Sequence, residues 1–74
     1  MSERGTLKQF NQSLGFGFII PDKGGPDVML HRSVLPAAGP PITQLVQGLP
    51  ITYDVIETPR GYRAANVKWE GYHG

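Results

Sequence analysis

The sequence predicts an all-β domain, a small barrel of five short strands. Three observations carry this. Apolar side chains recur with a period of two over several short segments, not with the helical period of about 3.6. Turn residues separate those segments, with ten glycines and seven prolines in 74 residues. The longest connection, after the third segment, is rich in proline and glycine and supports neither a helix nor a strand.

Residues Thr6-Leu7-Lys8-Gln9-Phe10 alternate as a first strand, with Leu7 inward and Lys8 and Phe10 on the other face. Asn11-Gln12-Ser13 is turn chemistry. A second strand spans Gly15-Phe16-Gly17-Phe18-Ile19-Ile20 and stops at Pro21-Asp22. Phe16 and Phe18 share one face of it, and two glycines interleave them. This stretch has two readings. The rings form an exposed platform on which flat bases stack, or both are core and the glycines mark a barrel bend.

Asp22-Lys23-Gly24-Gly25-Pro26-Asp27 is a hairpin loop. Val28-Met29-Leu30-His31 alternates again, with Val28 and Leu30 toward the core and Met29 and His31 opposite. Ser33-Val34-Leu35 has room for a single helical turn at most, before the irregular loop over 36–41. Gln44–Gly48 is a linker. Leu49–Glu57 is a fourth strand, placing Ile51, Tyr53 and Val55 on one side and Thr52, Asp54 and Ile56 on the other. Thr58-Pro59-Arg60-Gly61 turns the chain into a fifth strand, Tyr62–Trp69, packed through Ala64, Ala65 and Val67. Trp69 is expected over the barrel end, and residues 70–74 as a frayed tail. Closure removes exposed strand edges, so the expected architecture is a five-stranded antiparallel OB-fold barrel.

Composition bounds the chemistry. A chain of this length makes one domain with a small core. With no cysteine there is neither a disulfide nor a thiolate metal site. Two histidines, His31 and His73, do not suffice for a zinc site, and no cofactor is expected. No apolar run approaches the roughly 20 residues of a membrane span. No apolar signal segment follows Met1-Ser2-Glu3-Arg4, so a soluble cytoplasmic protein is expected. The net charge of +1 provides no bulk attraction to nucleic acid, so any basic patch must be local. Gly24-Gly25 lacks the Lys-Ser/Thr sequel of a phosphate loop, and no nucleophile lies near a base in the pattern. The reading is a non-enzyme.

Four segments, in order, carry a resemblance. Gly5–Asn11, Gly15–Ile19, Asp27–His31, and Arg60-Gly61 with Ala64-Ala65-Asn66-Val67 resemble the bacterial cold-shock domain. The likeness covers roughly residues 4–69, which are taken as the domain. It implies a barrel that binds single-stranded RNA or DNA. It further implies an RNA chaperone, or a regulator of transcription or translation, that melts weak secondary structure. By resemblance, Phe16 and Phe18 stand where bases stack and His31 where a histidine contacts a base. Lys8 and Arg60 stand where the strand is met, and Phe10 borders the platform.

The sequence departs from the family's pattern at several of these positions. Gln9 replaces a stacking tryptophan, and Leu14 a lysine. Met29 and Arg32 replace the two phenylalanines flanking the histidine. Pro40-Pro41-Ile42 stands where the family often has another phenylalanine. Each lost ring removes about 1–3 kcal/mol of stacking, so weakened affinity is expected. Arg32 offsets part of the loss by stacking its guanidinium and meeting phosphate. Met29 packs under a base, and Gln9 hydrogen-bonds a base edge. The competing reading is a barrel repurposed for protein contacts through Leu14, Phe16, Phe18 and Met29. A monomer is expected, with dimerisation by strand exchange through the long loop as the other possibility.

Overall fold

The computed structural model describes residues 2–70. Five strands run in the order β1 (Ser2–Asn11), β2 (Phe16–Pro21), β3 (Val28–His31), β4 (Pro50–Thr58) and β5 (Gly61–Trp69). They close into a barrel in the spatial order β1-β2-β3-β5-β4. Four of the seams are antiparallel. The closing seam departs from the antiparallel expectation: β3 and β5 run parallel and share one register pair, Met29↔Arg63. Parallel neighbours require a long crossover. The long loop, β4 and the β4–β5 turn together supply it.

Leu7, Ile19, Leu30, Ile51 and Tyr53 are the largest fully enclosed side chains. All are inward positions of the alternation. Trp69 is also buried, and Gly39 of the long loop lies flat against its indole. The loop contains two 3-10 turns, Arg32–Val34 and Ile42–Gln44, where one at most was expected. The second sits close to Leu45, which the loop contributes to the core.

β1 breaks strict alternation. Leu7 pairs with Ile19, but Gln9 pairs with Phe18, so Lys8 is an extra residue bulged out of the ladder. Everything after it changes face. Gln9 therefore points outward, and Phe10 packs against the core, correcting the expectation that Phe10 shares a face with Lys8. The β1 backbone at Gln9 and Phe10 explains Gly17, the register partner of Phe10. A Cβ on Gly17 would fall within 2.7 Å of the Phe10 Cα, so only glycine lets β1 and β2 approach here. A second bulge lies in β5 opposite Thr52–Asp54. There Asn66 adopts φ +50° and donates from Nδ2 to Asp54 Oδ2 at 2.8 Å. The tail expected over 70–74 begins with a tethered residue. The Glu70 N–H donates to the Pro50 carbonyl, and its carboxylate pairs with Arg4 at 2.7 Å. Residues 71–74, including His73, lie outside the described residues.

Candidate nucleic-acid interface

Register places the expected surface residues in two rows across one outer wall, because opposite residues in a ladder share a face. The first row is Asn11–Phe16–His31. The second is Gln9–Phe18–Met29, continued across the parallel seam by Arg63 and then by Ile56 of β4. Phe16, Phe18, Met29 and His31 are all half-buried. The two rings meet edge to face, with centroids 5.9 Å apart and planes at 85°. This is the favoured geometry for an aromatic pair. The core reading of these phenylalanines is set aside: Gly17 and Ile19 face inward, and the rings face out.

His31 is oriented by the chain that follows it. Its Nδ1 accepts from the Ser33 backbone N–H at 3.1 Å and lies 2.8 Å from Ser33 Oγ. With Nδ1 accepting, the neutral ring carries its proton on Nε2. Arg32 is held from the opposite side of the row. Its backbone N–H donates to the Gly15 carbonyl at 2.8 Å, and its side-chain stem crosses Gly15. Gly15 has φ +77°, and a Cβ there would sit 2.9 Å from Arg32 Cδ. The arginine thus stands beside Phe16 with an exposed guanidinium. Leu14, at 65% exposure, projects from the adjacent turn, whose backbone is tied to Asn11 Oδ1.

The charged groups are distributed unevenly. Arg4 pairs with Glu70, Lys23 with Glu3, and Lys8 with Asp27 at 3.0 Å. Among the described residues, Arg32, Arg60, Arg63 and Lys68 make no ion pair. Three of those four border the aromatic wall. Lys8 reaches the wall's edge but is tethered by its carboxylate partner. Arg60 projects from the β4–β5 turn, where Thr58 Oγ1 accepts from the Arg60 N–H and donates to the Gly61 carbonyl.

Arg63 and Tyr62 were missed in the sequence. With Met29, Arg60, Thr58 and Pro59 they line a hollow of about 310 Å³ between the end of the second row and the β4–β5 turn. Alternation outward from buried Ala64 was the available signal for Arg63. Its closeness to Met29 depends on the parallel seam, which no local pattern reveals.

The fold and this wall define a small closed β-barrel with an aromatic outer face. The chain belongs to the cold-shock domain family: residues 3–69 match the "cold-shock" DNA-binding domain. It is 43% identical over 63 residues to cold shock protein ScoF of Streptomyces coelicolor, covering 85% of this chain and 91% of that protein. It is 44% identical over 63 residues to cold shock protein CspA of Rhizobium meliloti, covering 84% and 88%. Cold shock-like protein CspD of Escherichia coli is 40% identical over 63 residues, 85% of this chain and 82% of that one. Nucleic-acid binding is therefore the function of this barrel. Among the described residues, no helix is long and apolar enough to cross a membrane.

Proposed function

We propose that the chain binds single-stranded RNA or DNA on the β1–β3 wall and acts without enzymatic chemistry. It would then serve as an RNA chaperone or as a regulator of transcription or translation. The observation that carries this is the pair of half-buried outward rings, Phe16 and Phe18, bordered by arginines that have no carboxylate partner among the described residues. Stacked bases suit the rings, and phosphates suit the arginines. His31 offers its Nε2–H to a base acceptor, and Gln9 offers an amide to a base edge. Met29 supports a base beside Phe18. Arg32 and Arg60 meet the backbone at the two margins, and Lys8 joins them when it leaves Asp27. Phe10 contributes from beneath, holding β1 in register under the platform.

A strand lying flat on such a wall is held unpaired, which favours melted over paired RNA. The protein is proposed to act as a cytoplasmic monomer, with strand exchange as its route to a dimer. Amide shifts on titration with a short pyrimidine-rich oligonucleotide test the site. They should cluster at Gln9, Phe16, Phe18, Met29, His31 and Arg63, with affinity falling as salt rises. Shifts confined to Thr52, Asp54 and Lys68 would place binding on the wrong wall. No shifts at all would favour the protein-contact reading.

A further inference from the structure

The barrel is closed at one end and open at the other. Trp69 and Leu45 fill the end beneath the long loop. At the opposite end the inward positions of β4 and β5 run past the last layer of the core. Val55 and Tyr62 face the barrel axis yet stay 38% and 36% exposed. With Val28, Tyr53 and Glu3 they line a cleft of about 510 Å³ at this mouth. That is within the size range of small-ligand pockets. The Tyr53 hydroxyl is buried and has no hydrogen-bond partner among the described residues. Such an orphan is costly and calls for a polar partner.

Two features connect the mouth to the platform. Tyr62 lines both this cleft and the hollow that begins at Met29. Arg60 and Arg63, which make no ion pair among the described residues, stand on the hollow side of that ring. Beyond Tyr62 the arginines give way to a Glu3–Lys23 pair, both of which line the mouth, and Glu57 is the register partner of Tyr62. Burial pushes the Tyr53 phenol above its ordinary pKa, and the nearby carboxylates of Glu3 and Asp22 add to this. The phenol therefore keeps its proton at neutral pH.

We infer that the open mouth is a subsite for the terminal nucleoside of a strand lying on the platform. Its base stacks against Tyr62 over Val28 and Val55, with a ring edge on the Tyr53 hydroxyl. Its one phosphate stays on the Arg60 and Arg63 side, and Glu57 beside Tyr62 disfavours a further phosphate there. This rests on the platform reading above.

The test measures Kd for oligothymidylates of increasing length, each with a free or a phosphorylated end, against four chains. These are the native protein, Tyr53→Phe, Tyr62→Ala and Phe18→Ala. Tyr53→Phe removes an unpartnered hydroxyl, so thermal stability should hold or rise while affinity for the mouth-filling length falls about three- to tenfold. Tyr62→Ala should abolish the gain from the last added nucleotide, with a smaller loss for shorter oligomers that reach only the hollow. Phosphorylating one end, and not the other, should weaken binding by a similar factor. The inference is overturned if Tyr53→Phe and Tyr62→Ala bind every length as the native chain does, or if neither terminal phosphate matters. In those cases Phe18→Ala still binds weakly. If Phe18→Ala also binds normally, the platform itself is misplaced.

Discussion

The β1–β3 wall and the part of the β4–β5 wall around Thr52 and Lys68 cover the same core with opposite surfaces. On the second wall, the outward polar groups bond one another or the backbone, apart from the Lys68 ammonium, which makes no ion pair among the described residues. Asn66 bonds Asp54, and Thr52 Oγ1 lies 3.4 Å from the Lys68 carbonyl it points toward. On the first wall, Phe16, Phe18 and Met29 lie among Arg32, Arg60 and Arg63, which make no ion pair among the described residues, while His31 bonds Ser33 and Lys8 pairs with Asp27. Inward residues on both walls are apolar, mostly Leu, Ile, Val and Ala, with Tyr53 and Trp69. The core therefore cannot tell the two walls apart, and any difference in binding must come from the alternate residues. A half-exposed ring gains little for stability beyond its buried area, so its presence on one wall alone points to a ligand.

The largest effect should come from breaking the aromatic wall. Replacing Phe16 and Phe18 together by alanine should remove two stacking platforms, at about 1–3 kcal/mol each, and weaken oligonucleotide binding by at least tenfold. The far-ultraviolet spectrum should stay that of a β-barrel. Unchanged affinity in a folded double variant would erase the proposed contrast between the walls.

Restoring rings should sharpen the contrast in the other direction. Gln9→Trp with Met29→Phe should tighten binding roughly tenfold or more, with little dependence on salt, because stacking releases no counterions. The new tryptophan should be quenched by bound bases, whereas Trp69, buried beneath Gly39, should respond weakly. A folded variant whose new tryptophan stays unquenched would mean that bases do not reach this row.

Charge removal should have smaller effects of another kind. Arg60→Gln and Arg63→Gln should each weaken binding about equally across sequences and flatten the logarithmic salt slope by about one unit. Lys68→Gln, on the other wall, should leave the slope unchanged. The smallest change is expected from Asp27→Asn. The exposed Lys8–Asp27 pair contributes at most about 1 kcal/mol, so folding should barely alter. Freed Lys8 should add a phosphate contact, seen as a modest gain in affinity at low salt that vanishes at high salt.

Much of the barrel is legible locally, because alternation and turn chemistry act over a few residues. β3 was read to its ends, and period two placed Leu7, Val28 and Leu30 inward and Ile51 and Tyr53 on one shared face of β4, without saying which face meets the core. Three features depend on contacts between distant segments. The bulge at Lys8 arises where β1 leaves β4 for β2, and the Leu7 backbone bonds Leu49 and Gly48 there. Alternation alone could not place Gln9 outward or Phe10 inward, and the resemblance supplied only the first. The role of Gly17 is set by the approach of β1, not by a turn. The nearness of Arg63 to Met29 needs strands over thirty residues apart to meet in parallel. Lys8 shows a further limit. Its position was expected to meet the nucleic-acid strand, with no sign of its partner Asp27, which lies nineteen residues on.

The closing seam also bears on how the chain reaches its fold. Residues 2–31 form a meander of neighbouring strands, and 50–69 form a hairpin, so each can assemble from contacts close in sequence. Joining them requires the β1–β4 ladder and the single parallel pair at Met29 and Arg63. Those are non-local contacts that yield nothing until a long loop has closed. Barrel closure, not strand formation, is then the slow step, and the seam is where a native barrel opens first. Amide hydrogens along β3 and the start of β5 should exchange sooner than those between β1 and β2. The hollow lined by Met29 and Arg63 lies on that same seam, so a strand bound as proposed would act as a clasp across it.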